Sequence, residues 1–597
     1  MTAPPLPSNV DVVILGGGLA GLTLARQLGL TRPRTSVLVV EATAHPPADA
    51  AHKVGESCVE IAGTWLRDTL QLDAHLEARH LPKLGLRFFL PAGEDGGKTD
   101  IAARLELGPV RNKVPVPFRG LLVPSYQLDR GVLEAHLAED IGHAERSPHA
   151  RFVDRCRATD VSLDSGGHVV TLERDGATSS VTARWVIDAT GRRNLLKKRL
   201  RLNVPSPHHA NAVWFRVRGR IKVDDWAPDT EWAGRIDAPI RWHSTCHLLD
   251  RGYWVWFIPL AGDVTSVGIV TDAAEHEFTS MNRFDRAMGW LREHEPQAAD
   301  RVAAALQADA DDPDTDGDGA PLDFLALRRY AADATRVFSG ERWGLTGDAG
   351  LFCDPFYSPG SDFIATVNTQ HVDLITRDLD GEDIRDRADR ADHYLRILYD
   401  QFMRVYQDSY ALMGNTQVMS AKIAFDTAFY WAWVALLFLN HRLTDPDFMD
   451  TIGPEIERMI EVQGAAQRLF REWGAAENPR CEPGLIDQFD VATLWRIYTV
   501  LIRPIDGDVL RKRLREGLDR LEAFVEVLFR HAARAHPEVA EAASIRVPAV
   551  ALDPATWTES GLLHGPDRGR ELRRVRAELE ALWVDGTSGP TLPPRRA

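Results

Sequence analysis

The stretch Val10-Asp11-Val12-Val13-Ile14-Leu15-Gly16-Gly17-Gly18-Leu19-Ala20-Gly21 decides how this chain is read. Val10 to Leu15 is apolar and β-branched, which predicts a buried strand. It breaks at Gly16, and Leu19 to Leu30 then carries the spacing of a helix. A second short apolar run, Ser36 to Val40, closes on Glu41. The pattern predicts a β–α–β unit, with G-x-G-x-x-G at the junction where such a unit holds a dinucleotide. Gly16 permits the tight turn, Gly18 lets backbone approach a pyrophosphate, and Gly21 allows close packing of the helix. Ala20 lies in the first helical turn, whose free N–H groups would face the phosphates. Glu41 is placed to bind a ribose hydroxyl, which favours FAD or NAD over NADP.

Working outward, two later segments complete the pattern. Arg184-Trp185-Val186-Ile187-Asp188-Ala189-Thr190-Gly191 is an apolar strand ending in a turn of small residues. Trp343-Gly344-Leu345-Thr346-Gly347-Asp348-Ala349-Gly350 ends another strand, on an Asp348 that could hold a ribityl chain. In this order, the three segments resemble flavoprotein monooxygenases with an FAD domain of the glutathione-reductase or aromatic-hydroxylase type. That resemblance implies an α/β fold with a Rossmann-like FAD domain. Gln127 and Arg130, in Ser125-Tyr126-Gln127-Leu128-Asp129-Arg130, begin a helix that lies near the cofactor in that class.

Three further motifs narrow the resemblance. Lys53-Val54-Gly55-Glu56-Ser57 follows the first unit, and Lys83 precedes an aromatic strand in Pro82-Lys83-Leu84-Gly85-Leu86-Arg87-Phe88-Phe89. Tyr253-Trp254-Val255-Trp256-Phe257-Ile258-Pro259 contains W-x-W-x-I-P, similar to the signature of the flavin-dependent halogenases. The resemblance covers roughly the first 370 residues. It implies that reduced FAD, delivered by a separate flavin reductase, captures O2 as a C4a-hydroperoxide and oxidises chloride or bromide to hypohalous acid. Trp254 and Trp256 would wall the flavin off from substrate. Lys83 would relay the oxidant to an electron-rich carbon, a task that suits a desolvated ammonium on a flexible stem. Glu56 and Ser57 are assigned to the cofactor with Gly16, Gly18, Ala20, Gly21, Glu41, Gln127, Arg130, Asp348 and Gly360.

Cys353-Asp354-Pro355-Phe356-Tyr357-Ser358-Pro359-Gly360-Ser361 resembles the flavin and halide loop of the family, with Gly360 and Ser361 as halide donors. Tyr357 stands where the tryptophan-specific members carry a glutamate, which points to a phenol, pyrrole or polyketide-type ring, free or tethered to a carrier protein. Pro359 removes one backbone N–H from the halide site, a loss of about 1.5–3 kcal/mol for an anion. The alternative is therefore a hydroxylase on the same scaffold that does not use halide. A single dinucleotide fingerprint argues against a built-in NADPH-driven reduction.

Composition sets the outer limits. The chain has 597 residues, 44% of them hydrophobic and 26% charged, enough for large cores in two or three domains. Lys and Arg total 70 against 86 Asp and Glu, a formal charge of −16 that argues against a nucleic-acid partner. Five scattered cysteines form neither a disulfide framework nor a metal ligand set. No secretory signal is visible in Met1 to Asn9, and the longest apolar run, Ala428 to Leu439, is too short to cross a bilayer. A cytoplasmic protein is expected.

The expected division is a catalytic part over residues 1–370, with an inserted sheet over about 203–330, and a helical part over 371–597. Asp312-Pro313-Asp314-Thr315-Asp316-Gly317 reads as a solvated acidic loop, and no metal site is expected. Phe425 to Leu439 is aromatic all round, which predicts a buried helix. Trp431 and Trp433 are the candidates for lining a channel to the flavin.

Overall fold

The computed structural model describes residues 5–46, 55–93, 95–110, 123–142, 149–228, 230–236, 239–313, 317–479, 481–542, 546–547 and 550–551. Lys53, Val54, the middle of the acidic loop and the C-terminal tail lie outside these residues.

The expected unit forms as β1 (Asn9–Leu15), α1 (Leu19–Thr31) and β2 (Val37–Val40). β1 pairs in parallel with β2 on one side and with Ala177–Asp188 on the other. Ala150–Val153 extends the sheet beyond β2, and Trp343–Leu345 pairs with the end of Ala177–Asp188. The three sequence segments therefore end side by side. A dinucleotide binds where such parallel strands end.

A second sheet of eight strands stands beside the first, in the order Asp323–Leu327, Ala210–Arg218, Val264–Asp272, Tyr253–Leu260, Thr245–Asp250, Leu86–Leu90, Leu105–Gly108, Gly484–Asp487. Alternation along its strands divides its side chains between two cores. Val213, Phe215, Val255 and Phe257 pack against Ala287, Met288, Leu291 and Val302 of the helices Phe284–His294 and Pro296–Asp311. Trp214, Trp254, Trp256 and Ile258 belong to the other core, which runs into the nucleotide domain.

This sheet corrects the expected boundaries. It is not confined to 203–330: two strands come from before residue 110, and its last strand comes from the helical part. Gly484–Asp487 pairs in parallel with Leu105–Gly108 and so satisfies an edge that would otherwise expose unpaired backbone.

Helices dominate after residue 360, starting with Gly360–Leu379 and Arg385–Tyr406. Thr416–Leu439 is one continuous helix with a π-helical turn over Tyr430–Ala435. It is long and apolar enough to cross a membrane, yet most of it is buried inside the protein. It packs with Gly453–Ala476 and Gly507–Ala535 as a core helix.

Candidate functional site

A cavity of about 460 Å3 runs from the end of β1 to the second sheet. Gly16, Gly18 and Ala20 line one end with Glu41. Gly16 has φ +113°, and a Cβ there would stand 2.3 Å from the Ala189 carbonyl oxygen. Gly21 does not line the cavity; it lets α1 sit against the turn, since a Cβ would meet the Gly16 carbonyl oxygen at 2.0 Å. No side chain caps the N-terminus of α1, and its first turn carries no acid, so its N–H groups remain for a phosphate. Glu41 accepts from the Gly17 N–H at 2.7 Å and from the Thr43 N–H and hydroxyl, which fixes the carboxylate at the cavity wall.

Arg130, Asp348, Glu56, Ser57, Trp254, Trp256, Gly360 and Ser361 also line the cavity. Glu56 is buried, its Oε2 has no hydrogen-bond partner, and burial pushes its carboxyl up to about 8. A buried orphan oxygen on a cavity wall is what a bound polar group would satisfy. The phosphate-sized cradle, the acid at the ribose end and this orphan acceptor at the ring end fit a dinucleotide of FAD type.

Gln127 is buried and is not among the lining residues; its amide exchanges hydrogen bonds with the hydroxyl of Thr245, which does line the cavity, at 3.1 Å. Thr245, which the sequence did not single out, lines the cavity in its place, as does His247.

Trp254 and Trp256 project from one face of Tyr253–Leu260, with ring centroids 5.6 Å apart. Trp256 lies across Gly268 on the neighbouring strand, where a Cβ would be 2.1 Å from the indole. The Trp256 N–H donates to Ser266, and that of Trp254 to the Tyr410 hydroxyl. Tyr410 also donates to Asp354 Oδ2 at 2.7 Å, as does Tyr330 at 2.6 Å, with His208 Nε2 at 2.6 Å from the same oxygen. Asp354 Oδ1 accepts from the Phe356 N–H. One buried carboxylate thus ties the loop 353–360 to the tryptophan wall.

That loop ends on Ser358, held at φ +60°, a costly conformation for a residue with a Cβ. Pro359 is the N-cap of Gly360–Leu379, so its missing N–H lies outside the helix. Gly360 and Ser361 carry the first two helical N–H groups, which have no carbonyl to serve within the helix.

Lys83 is fully buried. Its Nζ donates to Ser57 Oγ at 2.7 Å and to the Cys58 carbonyl at 3.1 Å. Ser57 Oγ is 2.8 Å from Thr245 Oγ1 and 3.0 Å from Ser358 Oγ, so a chain of hydroxyls joins Lys83 to the first cavity. Burial brings the ammonium down to about 8, against the opposing pull of Cys58, Glu60 and Asp362.

Glu60 and Asp362 line a second, smaller cavity of about 70 Å3, with Phe88, Tyr357, Pro359, Phe402, Tyr430 and Trp431 among its walls. Trp433 is buried but does not line it. The π-helical turn brings Tyr430 and Trp431 to this wall, a placement such turns take at functional sites. No group of metal-ligating side chains occurs among the described residues.

No protein-family model matches the chain. It is 25% identical over 76% of its length to the flavin-dependent halogenase chlA of Dictyostelium discoideum, of which it covers 75%. It is 26% identical over 64% of its length to the flavin-dependent halogenase armH3 of Armillaria mellea, covering 70% of that protein. The chain is a relative of the flavin-dependent halogenases. It is a flavin-dependent oxidoreductase. Another such relative is a 1H-pyrrole-2-carbonyl-(peptidyl-carrier protein) chlorinase of Pseudomonas fluorescens, 25% identical over 59% of this chain and covered over 72% of its own length. In fold, this halogenase relative superposes on the halogenase PltM with a TM-score of 0.56 at 15% identity, over 85% of this chain and 96% of the other. A flavoprotein/dehydrogenase from Cytophaga hutchinsonii gives 0.55 at 18% identity, over 78% and 99%.

Sequence reading of this halogenase relative missed Glu60, Asp362, Tyr430 and the Asp354 cluster. Asp354 and Tyr430 lay in stretches that drew attention, but not as members of these clusters. Glu60 and Asp362 stand near helix starts, where acids look like ordinary capping positions.

Proposed function

We propose that the protein halogenates an electron-rich aromatic or polyketide-type intermediate, with FAD used in its reduced form and re-reduced by a separate reductase. The observation that carries this reading is Lys83, fully buried, hydrogen-bonded to Ser57 of the first cavity and acted on by the charges of Glu60 and Asp362 of the second. Bound reduced FAD, with O2, supplies the oxidising equivalent that converts chloride or bromide to hypohalous acid.

The chain's residues have separate tasks. Gly16, Gly18, Ala20 and Glu41 would hold the nucleotide half, and Arg130 and Asp348 the middle. Glu56 would meet the ring end with an acceptor or, protonated, a donor. The N–H groups of Gly360 and Ser361, at the start of a long helix, favour an anion. Trp254 and Trp256 separate the flavin end from the second cavity, so the oxidant travels by way of Lys83. With an amine pulled down to about 8, a minor neutral fraction, roughly a tenth at pH 7, is able to accept halogen on nitrogen. The ammonium fraction can hold hypohalous acid by hydrogen bonds instead. The aromatic second cavity takes the substrate, free or carrier-bound.

The test is a single turnover of photoreduced protein with O2 and bromide, with monochlorodimedone as trap. Bromide-dependent bleaching supports halogenation. Lys83→Met should cut product formation on a true substrate by about 100-fold or more. Oxygen insertion indifferent to bromide would move the assignment to the hydroxylase, the reading that the missing N–H of Pro359 favours.

A further inference from the structure

Electrophilic substitution needs a base as well as an oxidant, because the ring must lose a proton from the carbon that gains halogen. A lysine engaged in delivering the halogen is a poor candidate for that second task. The described lining of the second cavity contains no Lys, Arg or His. Its tyrosines, Tyr357, Tyr406 and Tyr430, are all pushed well above the usual phenol range by burial, so they do not ionise. Asp426 is already neutralised by Lys422 at 2.8 Å and takes further hydrogen bonds from Gln467 and Tyr357. Two acids remain, Glu60 and Asp362.

Both are buried and held in place. Asp362 Oδ1 accepts from the Ala62 N–H at 2.9 Å, and Oδ2 from the Tyr430 hydroxyl at 2.7 Å. Glu60 Oε1 accepts from the Trp431 indole N–H at 3.0 Å. Both acids act electrostatically on Lys83. They come from two helices and meet at the π-helical turn of a third, which supplies one fixing donor to each acid.

We propose that Asp362, paired with Glu60, is the proton acceptor of the second cavity, holding the substrate by an O–H or N–H and taking the proton released on substitution. This rests on the halogenation reading above. In the step, a ring electron pair forms the C–X bond and the O–X bond of hypohalous acid breaks. The oxygen keeps that pair and leaves as hydroxide. The ring C–H proton passes to the carboxylate and from there to hydroxide, giving water. The substrate class that fits is a neutral ring with a hydroxyl or N–H donor, since apolar walls and two acids disfavour an aryl carboxylate.

The environment of Asp362 sets the pH dependence. Burial pushes it up to about 7; Glu60 adds to the rise, and Tyr430, the Ala62 N–H and Lys83 oppose it. Glu60 is raised by burial as well. Cys58, pushed up to about 12, stays a neutral thiol beside Lys83. The base is therefore competent above about 7, and turnover should fall as pH drops through that value.

The experiment first establishes bromide-dependent bleaching of monochlorodimedone by the unaltered enzyme, then compares resorcinol and pyrrole with their ring-deuterated forms. Asp362→Asn should slow ring bromination by about tenfold or more, abolish the acid limb of the pH profile, and reveal a primary isotope effect absent from the unaltered enzyme. Tyr430→Phe keeps the carboxyl but removes a donor to its anion, and should shift the acid limb to higher pH. Glu60→Gln should give an intermediate loss. Failure of bleaching overturns the halogenation reading. With bleaching intact, this proposal is overturned if neither probe is brominated, or if Asp362→Asn leaves the acid limb and isotope effect unchanged.

Discussion

At the scale of single residues, the site works by close approaches that leave no space for a methyl group. Gly268 is a case that no motif announces. It sits in an ordinary apolar strand, yet its missing side chain is what lets the Trp256 ring lie flat across the neighbouring strand. Gly268→Ala would place a Cβ 2.1 Å from the indole, so the ring should be displaced toward the first cavity, which it lines. The expected outcome is a folded protein that loses bound flavin on purification, read as the flavin absorbance per chain. Retention of full flavin would show that the strand, not the ring, gives way. Lys83 illustrates a different limit of sequence reading. Its identity was legible from a motif, but its burial and its Ser57 contact depend on residues far apart in the chain.

At the scale of elements, the strand ends and the helix N-termini were the most legible features. β1, α1 and β2 lie where hydrophobic periodicity and glycine spacing put them, because a β–α–β unit is specified by neighbours in sequence. The edge strand Gly484–Asp487 was not legible, since four residues in a charged, Pro-containing stretch carry no periodic signal. A buried ion pair beside Leu105–Gly108, the strand next to one edge of the second sheet, ties it to two neighbouring strands. Arg104 donates twice to Glu295, at 2.7 and 2.8 Å, and also to the carbonyls of Gly97, Phe89 and Leu249. Arg104→Met leaves Glu295 buried without its cation and should cost about 3–5 kcal/mol, measured by urea denaturation. Adding Glu295→Gln should recover part of that loss, because the uncompensated charge is then gone.

At the scale of the whole molecule, the helical part is structural to the catalytic part. It supplies the last strand of the second sheet and the donors that fix both acids of the second cavity. Tyr410, in the same half, completes the cluster on Asp354. A chain ended after residue 380 should therefore not behave as an independent flavin-binding domain. The expected result is aggregation, or a soluble protein without flavin, seen by gel filtration with absorbance detection. A monodisperse, flavin-loaded fragment would show that the two parts fold separately and that residue 370 is a true domain boundary.

The sequence alone picked out the glycine turn, Glu41, Asp348 and the tryptophan pair, which the fold brings to the lining of one cavity, and it singled out Lys83 as a candidate. Those features depend on short-range spacing: a turn, a helix start, alternation on one strand. Only the tertiary structure decided that Gln127 packs against Thr245 rather than lining the cavity itself, that Thr245 and Ser57 connect the cavity to Lys83, and that Glu60, Asp362 and Tyr430 meet in a second cavity. The physical reason is separation along the chain. Groups hundreds of residues apart carry no shared periodicity, and each alone looks like a residue of an ordinary amphipathic helix. Their common role appears only when packing buries them together, where an unpaired charge is costly and every acid must find a donor or a proton.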